Sequence, residues 1–118
     1  MSDKLGDLIR LKHILMAIED IENYTKGVEL DDFSANSMMF NASLRQLEII
    51  GEASNRLSES FIKNNSDIPW ARIVGLRNLL IHQYFGVDDI AIWNIIQGNL
   101  PELKQKLLII ISKLEKNS

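Results

Sequence analysis

Pro69-Trp70-Ala71-Arg72-Ile73-Val74-Gly75-Leu76-Arg77-Asn78-Leu79-Leu80-Ile81-His82-Gln83-Tyr84-Phe85-Gly86 decides the fold of this chain. Trp70, Ile73, Val74, Arg77, Leu80, Ile81 and Tyr84 recur at steps of three and four, the spacing of one helix face. Proline suits the first helical turn, where its missing N–H would have no partner anyway. The stretch runs out at Gly86. It predicts a helix, and an odd one, because an Arg, an Asn, a His and a Tyr interrupt an apolar run.

Toward the N-terminus the pattern repeats. Leu5, Leu8, Leu11, Leu15, Ile18 and Ile21 form a stripe flanked by charged residues, and Gly27 is a natural stop after Tyr24-Thr25-Lys26. Asp31 or Asp32 can cap the next helix, or a short turn leading into it. That second helix puts Phe40, Leu44, Leu47, Ile50 or Gly51, Ser54 and Leu57 inward. It is expected to run to about Phe61 or Ile62, where Asn64-Asn65-Ser66-Asp67 marks a loop.

Toward the C-terminus, Asp88 or Asp89 can cap a fourth helix carrying Ile90, Ile92, Trp93, Ile95 and Ile96. Gly98-Asn99-Leu100-Pro101 is expected to break it, and a last segment continues through Leu103, Leu107, Ile110, Ile111 and Leu114. No alternating pattern of strand type persists. The expected fold is all-α, an antiparallel up-and-down bundle of four principal helices in a single domain over residues 1–118. Gly51 and Gly75 each cost about 1 kcal/mol inside a helix, which is explained if both let the second and third helices approach closely.

Composition narrows the function. The 118 residues are 46% hydrophobic and 25% charged, as in an ordinary globular domain. Cysteine is absent, which excludes disulfides and thiolate-based metal sites. A net charge of −3 argues against a surface that coats nucleic acid, though a few placed arginines suffice for a local phosphate site. The first residues lack a signal-peptide pattern and no apolar run approaches a membrane span, so a cytoplasmic location and no membrane partner are expected.

In the third helix, Asn78 and His82 share a face. Arg77 and His82 stand about 140° apart at 100° per residue, so one ideal helix cannot bring both onto one atom. Two copies facing each other across a two-fold axis would, and the spacing hints at a site shared by a homodimer. Histidine can exchange protons near neutrality, and arginine can bind a phosphate bidentately. Asn78 can orient the imidazole or bind a phosphate oxygen. Together they suit metal-free attack of an RNA 2′-OH on its neighbouring phosphate. The structural alternative is a buried histidine and an Arg77 paired with Glu48 or Glu52.

Arg77-Asn78-Leu79-Leu80-Ile81-His82-Gln83-Tyr84 resembles the Arg…His signature of HEPN domains. Arg10-Leu11-Lys12-His13-Ile14-Leu15, Arg45-Gln46-Leu47-Glu48-Ile49-Ile50-Gly51-Glu52-Ala53, Asp67-Ile68-Pro69-Trp70, His82-Gln83-Tyr84-Phe85-Gly86-Val87-Asp88 and Leu100-Pro101-Glu102-Leu103 are similar, in order, to its HepT-like branch. That resemblance implies a dimeric helical bundle acting as an endoribonuclease toxin of a prokaryotic toxin–antitoxin pair of type VII-like organisation. The implied partner is a small MntA-type nucleotidyltransferase antitoxin; the implied substrate is RNA, and DNA is not expected. Arg77 and His82 would be the catalytic pair with Asn78 in support. Tyr84 would accept AMP from the antitoxin, although it also reads as an aromatic anchor at the helix end.

Other residues carry less. His13 beside Arg10 reads as a surface residue, and Glu19, Asp20 and Glu22 as a solvated acidic face. No cofactor and no metal site are expected, because no ligand spacing surrounds His82. Besides the nuclease, two readings remain: a catalytically silent HEPN subunit that binds RNA or nucleotide for its partner, and a purely structural dimer.

Overall fold

Gly27 adopts φ +71°, the left-handed conformation that glycine takes without a Cβ penalty, and it ends the first helix. The computed structural model describes residues 3–81 and 88–117. Helix α1 spans Asp3–Thr25, α2 Leu30–Ala35, α3 Ser37–Asn55, α4 Glu59–Asn64, α5 Trp70–Ile81, α6 Asp89–Asn94 and α7 Leu100–Lys116, with a π-helical segment Ile95–Asn99 joining the last two. The fold is an all-α bundle, with no strand among the described residues. Helix α1 packs between α3 and α7, and α3 packs on its other flank against α5.

The apolar stripes meet in one core. Leu11, Ile14, Ile18 and Ile21 of α1 lie fully buried with Phe33 of α2, Leu47 and Ile50 of α3, Ile92 of α6 and Leu107 of α7. Each such aliphatic side chain contributes about 1.5–3 kcal/mol through removal from water. Phe33 sits edge-on to Phe40, with ring centroids 5.3 Å apart, and 5.0 Å from Trp93, so the short α2 pins α3 to α6. The α1 stripe is rotated from its expected course: Ile14 is buried, whereas Leu5 is 49% exposed.

Two helix starts follow local chemistry and a third does not. The Asn36 side chain accepts from the Met39 N–H to start α3, and Asp88 accepts from Ala91 N–H to start α6. Asp31 and Asp32 lie in the first turn of α2 but make no side-chain cap, since Glu29 holds the N-cap position.

The expected second helix is two. It stops at Asn55, and Ser58 restarts the chain as α4 by accepting from Phe61 N–H at 3.2 Å. Asp7 of α1 enforces the break: its carboxylate accepts the Ser58 N–H at 2.8 Å and the Ser58 O–H at 2.6 Å. At the C-terminal end, the expected break near Gly98–Pro101 is not a loop. Residues 95–99 widen into a π-helical turn in which Leu100 N–H bonds Ile95 C=O. Proline lacks an N–H and its ring crowds the carbonyl four residues back, and the wider turn accommodates Pro101 without ending the helix.

Candidate active site

Gly51 sets the geometry of the α3–α5 crossing. A Cβ placed there would lie 3.3 Å from Ile73 O, 3.4 Å from Arg77 N and 3.5 Å from Arg77 Cβ. Without it the backbone of α5 settles directly onto α3, as the sequence leads one to expect. Gly75 plays no such part, because a Cβ there would meet nothing within 4 Å. The expected two-glycine contact is a one-glycine contact.

That close approach brings Arg77 beside Glu52, the residue after Gly51. Arg77 Nε lies 2.6 Å from Glu52 Oε1, and the side chains are 40% and 38% exposed. Of the two carboxylates anticipated as partners, Glu48 instead pairs within its own helix with Arg45, at 3.3 Å. Attachment through Nε occupies one of the five guanidinium N–H donors and leaves the edge formed by the two terminal nitrogens to face another acceptor. Asn78 is exposed and sits one residue further along α5, about 100° around the helix from Arg77. The fold therefore joins Arg77 to Glu52 but does not bring Asn78 to that pair.

His82 and Tyr84 lie outside the described residues. Among the described residues no cluster of three or more His, Asp or Glu could hold a metal ion. A cleft of about 580 Å³ along α5 is lined by Ile50, Ile73, Leu76, Ile95 and Leu103, with Arg72 and Lys106 also on it, and contains neither Arg77 nor Asn78. Sequence reasoning had no reason to single out Arg56, which joins Arg10 and His13 on a groove that Glu52 borders. Only the pairing of α1 with α3 shows that these residues are neighbours.

Residues 14–110 match the family described as Ribonuclease HepT-like. The chain belongs to the HepT-like ribonuclease family. Among relatives of this HepT-like chain, a "Putative RNase" of Methanocaldococcus jannaschii is 40% identical over 100 residues, covering 85% of this chain and 92% of the relative. A "Probable ribonuclease HepT" of Thermococcus cleftensis is 40% identical over 96 residues, covering 81% and 87%. A "Gamma-glutamylcyclotransferase and putative RNase" of Methanocaldococcus jannaschii is 41% identical over 109 residues. The HepT-like chain is covered over 92% of its length in that match but spans only 49% of the relative. No solved structure matches the chain. No helix among the described residues is long and apolar enough to cross a membrane.

Proposed function

We propose that this chain is the toxin of a toxin–antitoxin pair, a metal-independent endoribonuclease whose active site is shared by the two protomers of a homodimer. Membership of a ribonuclease family supports the RNA substrate. The family match carries the reading; the Arg77–Glu52 pair, which the structural alternative also calls for, is compatible with it. The pair engages Nε of a half-exposed guanidinium, and its two terminal nitrogens have no ion-pair partner among the described residues, so they can take the non-bridging oxygens of a phosphodiester.

In the proposed reaction the His82 imidazole removes the proton of an RNA 2′-OH. The 2′-oxygen attacks the adjacent phosphorus, the bond to the 5′-oxygen breaks, and that oxygen takes a proton from the protonated His82 of the other protomer. The products are a 2′,3′-cyclic phosphate and a 5′-OH end. Arg77 stabilises the added charge on the non-bridging oxygens, and Asn78 supports the phosphate or the imidazole. Proton transfer and charge stabilisation are both supplied by side chains. At helical spacing Arg77 and His82 would stand about 140° apart, so the reading draws one from each protomer.

Regulation follows the same chemistry. A partner nucleotidyltransferase of the MntA type would join the Tyr84 hydroxyl to the α-phosphorus of ATP, releasing pyrophosphate. The added AMP is a bulky anion that competes with RNA for Arg77 and fills the cleft.

The test is cleavage of RNA by the purified, unmodified chain in EDTA beside its His82→Ala variant. Cleavage by the wild type alone, with 2′,3′-cyclic phosphate ends, is the expected result. No cleavage by either, on tRNA and mRNA alike, would overturn the reading in favour of a silent subunit that serves its partner.

A further inference from the structure

A groove of about 450 Å³ runs between α1 and α3. Its floor is apolar, formed by Ile9, Ile49 and Ala53. Its rim carries Arg10 and His13 from α1, Arg45 from α3 and Arg56, the residue just after α3. Glu52 also borders the groove, and the same carboxylate holds Arg77. Cationic groups therefore follow one another from α1 across α3 to α5, in a chain whose net charge is −3.

The Glu52 carboxylate on the groove is engaged by Arg77, and Arg45 is paired within its own helix with Glu48. Arg10 and Arg56 form no ion pair among the described residues. The Arg10 guanidinium gives one donor to Gly6 C=O at 3.1 Å, while its Nε is buried with no acceptor among the described residues. The buried Nε is out of reach of an external anion, which leaves the terminal nitrogens of Arg10 and the guanidinium of Arg56 as the donors for one. Positive charge on the rim and apolar surface on the floor are the two features that a single-stranded nucleic acid demands. Its phosphates need cations, and its unstacked bases need apolar or planar surface.

We propose that this groove carries single-stranded RNA to the Arg77 site, with Arg10 and Arg56 contacting phosphates and the Ile9–Ile49 floor receiving a base. The proposal rests on the reading of Arg77 as a phosphodiester-binding residue. An acidic protein would also meet the charge of the rim. RNA fits better because the groove is bordered by Glu52, the residue that holds Arg77, whose proposed ligand is a phosphodiester.

The experiment uses the full-length His82→Ala protein, so that RNA stays intact, and a 5′-labelled single-stranded RNA followed by fluorescence anisotropy. Affinity is measured from about 50 to 300 mM salt, and the slope of log K against log salt falls by about 0.7 for each phosphate of a single strand that the protein no longer neutralises. Arg10→Gln with Arg56→Gln should lower the slope by about 1.4 and weaken binding by tenfold or more at about 100 mM salt. Removing two charges elsewhere, by Lys113→Gln with Lys116→Gln on α7, should leave the slope in place. Melting temperatures within a few degrees of the parent confirm that all variants are folded.

Equal slopes in the groove and control variants would overturn the proposal. So would a change of oligomeric state with RNA binding intact, which would make the groove an interface between copies or with a protein. A parent protein that binds no RNA at any salt would overturn it too. Failure of the nuclease reading looks different: RNA bound with the predicted slopes, but never cut by the wild type.

Discussion

The Arg77 guanidinium is tied to Glu52 through Nε at 2.6 Å, across the crossing where Gly51 lets α5 touch α3. Both ends are well over a third exposed, so the pair contributes no more than about 1 kcal/mol to stability. Its consequence is orientation. Glu52→Gln should leave the melting temperature nearly unchanged while lowering RNA cleavage about tenfold, equivalent to about 1.4 kcal/mol of transition-state stabilisation. Faster cleavage in that variant would mean that Glu52 competes with phosphate for Arg77 instead of aiming it.

Arg77→Lys separates charge from shape. A lysine keeps the cation but cannot hold Glu52 and present a planar fork at the same time. Cleavage should fall by about 100-fold, the scale of losing one oriented transition-state donor. Full activity in the lysine variant would remove Arg77 from the mechanism.

Gly51 and Gly75 form an internal control for the crossing. Gly51→Ala forces its Cβ to 3.3 Å from the Ile73 carbonyl and 3.4 Å from the Arg77 amide, backbone atoms that cannot swing aside. The separation of α3 from α5 should outweigh the helix-propensity gain of about 1 kcal/mol, giving a net loss of about 1–2 kcal/mol and impaired cleavage. Gly75→Ala has open space and should be stabilising by about 0.5–1 kcal/mol. Denaturant unfolding of the two variants checks both signs.

Much of the fold was legible in the residues themselves. Gly27, Pro69 and Asp88 are local signals and end or start helices where their chemistry says they should. The apolar stripes found the core, but which members of the α1 stripe are buried, Ile14 and not Leu5, depends on the packing of the other helices around it. The split between α3 and α4 was hidden because it depends on Asp7, 51 residues from Ser58. The π-helical turn was legible as a disturbance at Gly98–Pro101, not as its form. At the site, the structural alternative paired Arg77 with Glu48 or Glu52, one turn apart, and that pairing is found with Glu52 at the Gly51 crossing. His82, Asn78 and Tyr84 were read from spacing and resemblance, and of these only Asn78 falls among the described residues.

Lys104 ties α7 to α1 by donating to Glu22 Oε1 at 2.8 Å. That hydrogen bond raises the lysine above its ordinary 10.5; desolvation opposes it, and the charges of Glu22 and Glu19 add to it. The folded chain thus holds this proton more tightly than the unfolded chain. The stabilisation is fully present below the unfolded lysine value and is lost as pH rises through the folded one. Lys104→Gln should therefore melt below the wild type near neutral pH, with the gap closing above 10.5. Thermal melts at neutral and strongly alkaline pH decide it: a constant gap would assign the effect to packing of the lysine stem.

Asp7 is 6% exposed, and both its oxygens are committed to Ser58, whose own Oγ accepts from Phe61 N–H. One carboxylate thereby fixes the corner between α3 and α4 and the N-terminal cap of α4. Asp7→Ala leaves the Ser58 N–H without its acceptor in a part-buried corner and should cost about 2–3 kcal/mol, the range for hydrogen bonds to a charged group. Ser58→Ala removes the cap and one of the two bonds and should cost about 1–2 kcal/mol. Because the two residues act as one unit, the double variant should fall short of the sum of the singles by about 1 kcal/mol. Additivity within about 0.5 kcal/mol would show that the corner is held by the packing of Leu57 and Phe61, and that the Asp7–Ser58 contact merely accompanies it.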